Sequence, residues 1–179
     1  VIPAISLSLL GMSFSNNLFL IGLLSCLLQL IALYFFVRII IQIIRPLLAS
    51  VNKLSRLLLT FFLSAFVVKV LLQNLSIIPQ ISAFVFHNKL IILSYLHLSL
   101  IGVISCLLLA LLASLNWLRA TPLNWSGVLL FLLGFVTTEI LLTLGGLQII
   151  YSDAVMVVGS ACMALGATFL ILSRSKPLE

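Results

Sequence analysis

The sequence predicts an all-α integral membrane protein, a bundle of five transmembrane helices with its N-terminus outside and its C-terminus in the cytoplasm. The first observation is composition: of 179 residues, 64% are hydrophobic and 7% are charged. Soluble domains carry about 25% charged residues, so this chain has too few polar side chains to cover a surface in water. The second observation is that the apolar residues form long runs. Crossing the ~30 Å hydrocarbon core of a bilayer takes about 20 residues of helix.

Five runs meet this length, at residues 18–37, 57–75, 90–115, 127–146 and 154–172. The first run follows the pair Asn16-Asn17, which is typical of a helix N-cap. We expect any continuation of this helix to stop at Arg45-Pro46, because proline lacks an N–H and clashes with the preceding turn. The second run follows a polar connector that ends in Arg56.

The third run, at residues 90–115, is the longest, and we expect this helix to tilt in the membrane. The fourth lies between the turn-rich NWLRATPLNWS and the Gly145-Gly146 pair, and the fifth opens with Asp153 as its expected N-cap. In the fifth run, Ser160/Ala164 and Cys162/Gly166 are pairs of small residues four apart. Such pairs favour close approach of another helix.

Two further apolar segments are too short to span. Residues 1–15 are expected to form a re-entrant or interfacial segment, or the tail of a truncated helix, and residues 77–86 an interfacial turn or half-helix. The bundle itself is expected over residues 16–173. Residues 174–179 are a predicted cytoplasmic tail, and their Leu-Glu end resembles a cloning-site remnant.

The orientation follows from the basic residues of the connectors, which favour the cytoplasmic side. On the opposite side of the predicted membrane only Lys89 appears, together with Asp153. The basic residues on the cytoplasmic side are Arg38, Arg45, Lys53, Arg56, Arg119, Arg174 and Lys176. The chain is therefore predicted to reside in a membrane, surrounded by lipid, and the compact connectors favour a bacterial inner (plasma) membrane.

Several classes of function find no support in the sequence. The net charge of +6 is not arranged as a basic stripe with interleaved aromatic residues, so no nucleic-acid partner is expected. No phosphate-binding glycine loop, HExxH motif or nucleophile elbow is present, and three acidic residues leave little room for paired-carboxylate catalysis. An enzyme is therefore not favoured. The three cysteines lie in separate apolar runs and are interpreted as small packing residues.

Three ionisable residues lie inside the predicted membrane helices. Lys69 lies six residues before the end of the second run, Glu139 seven before Gly146, and His97 seven after the start of the third run. At ~1.5 Å per residue, all three lie about 10 Å from the same, outer boundary. Charged residues at such depth cost about 2.5–3.5 kcal/mol on insertion scales, so each needs an explanation. The polar residues closest to this depth are Gln73, Tyr95 and Thr138.

Each of the three residues has a structural and a functional interpretation. Lys69 either extends its ammonium towards the interface or belongs to a polar site. Glu139 is paired with Lys69, bonded to a neighbouring helix or protonated, or it serves a proton relay or a substrate. His97 packs against a backbone carbonyl or Tyr95, binds haem or a metal, or handles protons. His87, in the outer connector, is interpreted as a solvated loop residue.

The stretch SYLHLSLIGVIS, residues 94–105, resembles the tenth helix of the catalytic subunit of haem-copper oxidases. In that family a His-x-His pair precedes an apolar stretch with glycine, and here Tyr95 and His97 stand at the two histidine positions. The chain is also similar to the C-terminal half of polytopic membrane proteins distantly related to that superfamily. The resemblance covers the helix count, the helix directions and about a dozen residues of sequence.

The resemblance implies that the five helices correspond to the last five of twelve. It implies that His97 is a low-spin haem ligand, whose partner histidine lies on an early helix absent from this chain, and that Tyr95 replaces the ligand of the oxygen-reducing haem. It also implies a missing N-terminal helical half or a partner membrane subunit. No copper-binding histidines are present, so the resemblance does not imply oxygen reduction by this chain alone.

Three functions follow as hypotheses. The first is a haem-associated or non-catalytic module related to haem-copper oxidases, with His97 as the haem-ligand candidate. The second is a small transporter or channel-like subunit, in which Lys69, Glu139 and His97 form a polar site or proton relay in the outer half of the bundle. The third is a purely structural membrane subunit whose polar residues hold helices together.

Overall fold

The structure, a computed structural model, describes residues 16–118 and 120–173, which form helices and contain no strand. The helices are α1 (Asn16–Ser50), α2 (Lys53–Leu75), α3 (Pro79–His87), α4 (Lys89–Ser114), α5 (Pro122–Gly146) and α6 (Asp153–Leu172). All but α3 are long and apolar enough to cross a membrane, which confirms the five predicted spans. The expected segment at residues 1–15, the tail at 174–179 and Arg119 lie outside the described residues.

Two spans begin about one turn earlier than hydropathy predicts, because capping residues lie in the polar connectors. The side chain of Asn52 accepts a hydrogen bond of 2.7 Å from the N–H of Ser55 at the start of α2. At the start of α5, Thr121 Oγ1 accepts from the N–H of Asn124, and Pro122 takes the first helical position. A side-chain cap and a proline at this position both stabilise a helix start.

Two predicted boundaries were wrong. Helix α1 does not stop at Arg45-Pro46 but continues to Ser50. Proline removes only one hydrogen bond from the ladder, and membrane helices tolerate this loss because surrounding groups satisfy the freed carbonyl. At the start of α6 the N-cap is Ser152, and Asp153 is the first helical residue. There its carboxylate still complements the positive end of the helix dipole. The short helix α3 agrees with the expected half-helix.

Helix α4 contains a wide turn that the sequence does not predict. Its α-helical parts, Lys89–His97 and Cys106–Ser114, are separated by a π-helical segment at Leu98–Ser105. The N–H of Cys106 donates to the carbonyl of Ile101, five residues earlier, as a π-helix requires. The π segment therefore begins directly after the histidine singled out in the sequence.

Neighbouring spans run antiparallel, as polar contacts at the ends of the bundle show. Ser55 Oγ, near the start of α2, donates a 3.0 Å hydrogen bond to the carbonyl of Ala110, near the end of α4. Asn88, the N-cap of α4, donates through its side-chain amide to the carbonyl of Gly146, the last residue of α5. The ends of α2 and α5 and the start of α4 therefore lie at the same end of the bundle.

The core lies between α2, α4 and α5, and α6 covers it from one side. Its main cluster is built from aliphatic and small residues, and a second, smaller cluster packs around Phe135. The buried residues of the main cluster are Leu54, Leu58, Cys106, Ala110, Ala113, Leu118, Val128, Leu132 and Leu170. Those of the second cluster are Ala65, Leu98 and Phe135.

A seam of four glycines joins α5 to α6. Gly134 packs on Gly159, and Gly127 packs on Gly166, so the two pairs are seven residues apart on both helices. A Cβ on Gly134 would lie 2.5 Å from the carbonyl oxygen of Gly159, and one on Gly166 would lie 2.6 Å from that of Gly127. Only glycine therefore allows the two backbones to approach this closely.

The seam corrects the predicted interface of α6. Ser160 and Ala164 are exposed, so this pair of small residues does not form the helix contact. In the other predicted pair, Gly166 is buried against α5 while Cys162 is only half-buried. The contact uses residues seven apart, which places them on one face of both helices over two turns.

Helix α1 packs mainly on α2. The ring of Phe36 lies 5.1 Å from the ring of Phe66, measured between centroids. Towards the other end of the contact, the thiol of Cys26 lies 4.0 Å from the carbonyl oxygen of Asn74. Most of the remaining surface of α1 is apolar and exposed, as expected for a helix at the edge of a membrane bundle.

Candidate functional site

The carboxyl group of Glu139 on α5 meets two side chains of α4. Its Oε2 atom is 3.2 Å from Nδ1 of His97, and its Oε1 atom accepts a 2.5 Å hydrogen bond from Ser94 Oγ. Ser94 Oγ is also 3.0 Å from Thr143 Oγ1, one turn further along α5. We call these four residues the carboxylate–imidazole site. The His97 and Glu139 side chains are 19% and 18% exposed, so the contact is largely shielded.

Helix periodicity explains how these residues meet. Ser94 and His97 are three residues apart on α4, and Glu139 and Thr143 are four apart on α5, so each pair lies on one helix face. The imidazole stacks on the ring of Phe135, with 5.3 Å between centroids and 25° between planes. Phe135 is buried and also touches Gly102 of the π segment, where a Cβ would lie 3.0 Å from the ring. The aromatic ring thereby orients the imidazole.

Lys69 belongs to a second group of polar residues, on another side of α4. Its ammonium donates a 3.2 Å hydrogen bond to Gln73 Oε1 and lies 5.9 Å from the ring centroid of Tyr95. The Tyr95 hydroxyl donates to the same Gln73 oxygen at 3.4 Å. We call these three residues the lysine cluster. The cluster joins α2 to α4. Its α4 member, Tyr95, lies in the same helical turn as Ser94 and His97.

The structure thus brings together some of the sequence-predicted residues and separates others. Glu139 contacts His97, whereas Lys69 contacts Tyr95 and Gln73. Among the described residues, Glu139 forms its ion pair with His97. The predicted pair of Glu139 with Lys69 is not present there. For Glu139, the contact matches the alternative of a bond to a neighbouring helix. For His97, the partner is neither a backbone carbonyl nor Tyr95.

Compared with known proteins, the chain matches no family model, no curated protein and no solved structure.

The donor set can be tested against a metal or a haem. Among residues 16–118 and 120–173, no group of three His, Cys, Asp or Glu side chains converges as a metal site would require. His87 lies in the last turn of α3 and its Nδ1 contacts the carbonyl of Ala83, ten residues before His97 in the chain. The described residues therefore bring no second histidine to His97, and its role as a haem ligand stays a prediction.

Sequence reasoning missed two members of the site, Ser94 and Thr143. Their spacing from the ionisable residues was the available signal, because hydroxyls three or four positions away lie on the same helix face. Sequence reasoning also placed Thr138 near the depth of the three ionisable residues. The buried Thr138 hydroxyl instead donates to the carbonyl of Phe135, and its methyl group faces Gly159 of α6.

Proposed function

We propose that this chain is a transporter-like or channel-like membrane subunit in which Glu139 and His97 take up and release a proton. The observation that carries the proposal is the 3.2 Å contact between His97 Nδ1 and Glu139 Oε2, made between two membrane-spanning helices. Ionisable side chains inside membrane helices are rare and commonly mark proton or substrate pathways. Imidazole is the side chain that ordinarily gains or loses a proton between about pH 5 and 8.

A route for the proton is supported by the two hydroxyl groups. Ser94 Oγ lies between Glu139 Oε1 and Thr143 Oγ1, so the four side chains form a continuous series of proton donors and acceptors. Thr143 is exposed and lies three residues before Gly146, which is about 5 Å from the end of α5 at the rise of an α-helix. A hydroxyl accepts one proton as it donates another, so this series connects the shielded pair to the end of the bundle.

The proposed orientation is N-terminus outside and C-terminus in the cytoplasm, in the inner membrane of a bacterium. It is supported by the connector charges, where seven basic residues face one side and Lys89 the other. In this orientation the carboxylate–imidazole site lies in the outer half of the membrane. The proton then exchanges with the external medium through Thr143.

The test is a pH titration of the purified protein in lipid nanodiscs. Infrared spectroscopy monitors the band of protonated carboxyl groups during the titration. The chain has three acidic side chains, Glu139, Asp153 and Glu179, so the variant Glu139→Gln assigns the band. We expect a carboxyl band that depends on pH in the wild type and is missing from the variant. Ser94→Ala should shift the frequency of this band, because Glu139 Oε1 then loses the hydrogen bond from Ser94 Oγ.

The matched control is Thr137→Val. The Thr137 hydroxyl lies on α5 near Glu139 but donates to the carbonyl of Leu133, outside the site, so its removal should leave the titration unchanged. A band that persists in Glu139→Gln, or one that does not respond to pH in the wild type, would contradict the proposal. If His97→Gln and Glu139→Gln only lower the Tm, and the protein conducts no protons in liposomes, the contact is structural.

A second candidate function is haem association through His97. The observation that favours it is the contact of His97 Nδ1 with a carboxylate, which leaves Nε2 as the free ring nitrogen. Metal-binding histidines commonly contact a carboxylate through their other nitrogen, which orients the ring. A haem held here would supply electron transfer or gas binding, while Glu139 and Phe135 would hold the ring of its ligand.

This candidate is tested by adding haemin to the purified protein and recording the Soret band. If it is correct, a saturable band forms with the wild type and His87→Ala, and is lost with His97→Ala. His87→Ala is the matched control, because His87 lies in an exposed position outside the bundle core. Equal binding by all three proteins, or none by the wild type, would exclude His97 as a haem ligand.

A further inference from the structure

The lysine cluster is rich in hydrogen-bond donors and poor in acceptors. The Lys69 ammonium has three N–H groups, and the contact recorded for them is the Gln73 Oε1 atom. That oxygen already receives the Tyr95 hydroxyl as well. The amide nitrogen of Gln73 adds two further donors. The three side chains together present one positive charge and several spare donors, and they share one acceptor oxygen.

Among the described residues, no acidic side chain forms an ion pair with the Lys69 ammonium. The ion pair found there joins His97 and Glu139. The half-buried stem of Lys69 runs towards the C-terminal end of α2, as in lysines that extend towards the membrane interface. Its ammonium does not project freely into lipid, however, because it lies against the ring of Tyr95 on the neighbouring helix. A charge held in this way between two helices lacks its counter-ion.

We propose that Lys69, Gln73 and Tyr95 bind one negatively charged group, a phosphate or carboxylate, where α2 meets α4. An oxyanion would accept hydrogen bonds from the ammonium and the Gln73 amide, and from the Tyr95 hydroxyl once it turns away from Gln73. Charge-assisted hydrogen bonds of this kind are about twice as strong as neutral ones. Two sources fit this chemistry: the headgroup phosphate of a membrane lipid and a soluble anion.

The location of the cluster gives the anion a connection to the carboxylate–imidazole site. Tyr95 directly follows Ser94 and precedes His97 by two residues, so one turn of α4 contacts both groups. A bound anion that repositions Tyr95 would also act on this turn. The binding itself needs only the lysine cluster, whereas its coupling to a proton rests on the proposed function.

The experiment measures anion binding by the full chain with two kinds of probe. Native mass spectrometry compares retention of phosphatidylglycerol, which is anionic, with that of phosphatidylcholine, which has no net charge. Thermal unfolding in uncharged detergent with added inorganic phosphate or acetate tests the soluble source. We expect at least one probe to bind the wild type, and about tenfold weaker binding in Lys69→Met, the loss expected for one charge-assisted hydrogen bond.

Two variants serve as controls. Lys89→Met removes an exposed lysine from the first position of α4, at the same end of the bundle, and should bind as the wild type does. Lys69→Arg keeps the charge and should retain most of the binding, which separates loss of the site from loss of folding. The proposal is overturned if Lys69→Met binds as the wild type does, if Lys89→Met weakens binding equally, or if no anionic probe binds.

A last comparison separates this proposal from the proton function. At fixed pH, Glu139→Gln should bind the anion within about twofold of the wild type. That result supports an independent anion site even if the infrared titration fails. Anion binding that disappears in Glu139→Gln but not in Lys69→Met would instead place the ligand at the carboxylate–imidazole site and overturn the assignment.

Discussion

At the scale of single residues, the partner of each ionisable group depends on rotation about the helix axes. Counting residues from the ends of the apolar runs placed Lys69, His97 and Glu139 at a common depth. Depth follows from the axial rise alone. Which side chains face each other depends on how the helices are turned, and here Phe135 and Gly102 set that rotation. The His97–Glu139 contact therefore could not be predicted from sequence.

A second residue-scale feature is the left-handed conformation at the C-terminal ends of two helices. Gln148, just after α5, has φ 57°, and Asn116, just after α4, has φ 61°. Left-handed backbone costs roughly 1–2 kcal/mol for most L-residues, but asparagine visits it more readily. The Gly145-Gly146 pair does not adopt it. These glycines instead lie in close contact with the side chains of Tyr151 and Ile91.

The first prediction is that Gln148→Gly stabilises the protein. Glycine adopts φ > 0 without steric cost, so the free energy of unfolding should rise by about 1 kcal/mol. Asn116→Gly is the matched control and should change it by less. Equilibrium unfolding in mixed detergent micelles measures both. An equal gain in the two variants would mean that the conformation of Gln148 is not strained.

At the scale of elements, the glycine seam makes α5 and α6 a tightly packed hairpin. The four glycines were visible in the sequence as two pairs seven residues apart. A spacing of four residues predicts Ser160/Ala164, which are exposed, and Cys162/Gly166, of which only Gly166 lies in the seam. The spacing that matters in this seam is two helical turns. Where two helices pack side by side, residues on the contact face recur every seven residues.

The second prediction is that Gly134→Ala is strongly destabilising. Its Cβ would lie 2.5 Å from the backbone carbonyl oxygen of Gly159, and backbone cannot move aside without separating the helices. A loss of about 1–3 kcal/mol is expected from such overpacking. Gly145→Ala is the comparison, since its nearest atom belongs to the Tyr151 ring, a side chain that can turn. Thermal unfolding in detergent should show a larger drop in Tm for Gly134→Ala.

The π segment of α4 is the other feature at this scale. It was not predicted, because an apolar run carries no marker for a turn with five-residue hydrogen bonds. A π turn accommodates about one extra residue in an otherwise α-helical rod. It thereby sets the rotation between the two α-helical parts of α4. The first part carries the two polar groups, and the second packs on α2 in the core.

The third prediction concerns deletion of Leu100, an exposed residue of the π segment. Removing one residue should convert the wide turn to α-helix and leave both parts of α4 facing their present partners. The pH response of the Glu139 carboxyl band should be kept, and the Tm should fall only slightly. Deletion of Leu108, equally exposed but in an α-helical part, should rotate Ala110 and Ala113 out of the core by about 100°. Equal damage by the two deletions would contradict this view.

At the scale of the whole molecule, hydropathy was sufficient to predict five membrane-spanning helices. Lipid cannot satisfy backbone polar groups, so each long apolar run must form a helix. The helix ends were less predictable, because Asn52 and Thr121 lie in connectors that read as loops. The packing order was not predictable from composition, since lipid-facing and protein-facing surfaces of these helices are both apolar.

The length of α1 has a consequence for how the protein sits in a bilayer. Its 35 residues extend for about 52 Å, well beyond the ~30 Å of hydrocarbon. The excess must project past one leaflet or be taken up by tilt. Because α1 rests mainly on α2, it can lean as the bilayer thins or thickens without disturbing the packing of α4, α5 and α6. Membrane thickness would then move this one helix, while the polar groups on α4 and α5 keep their geometry.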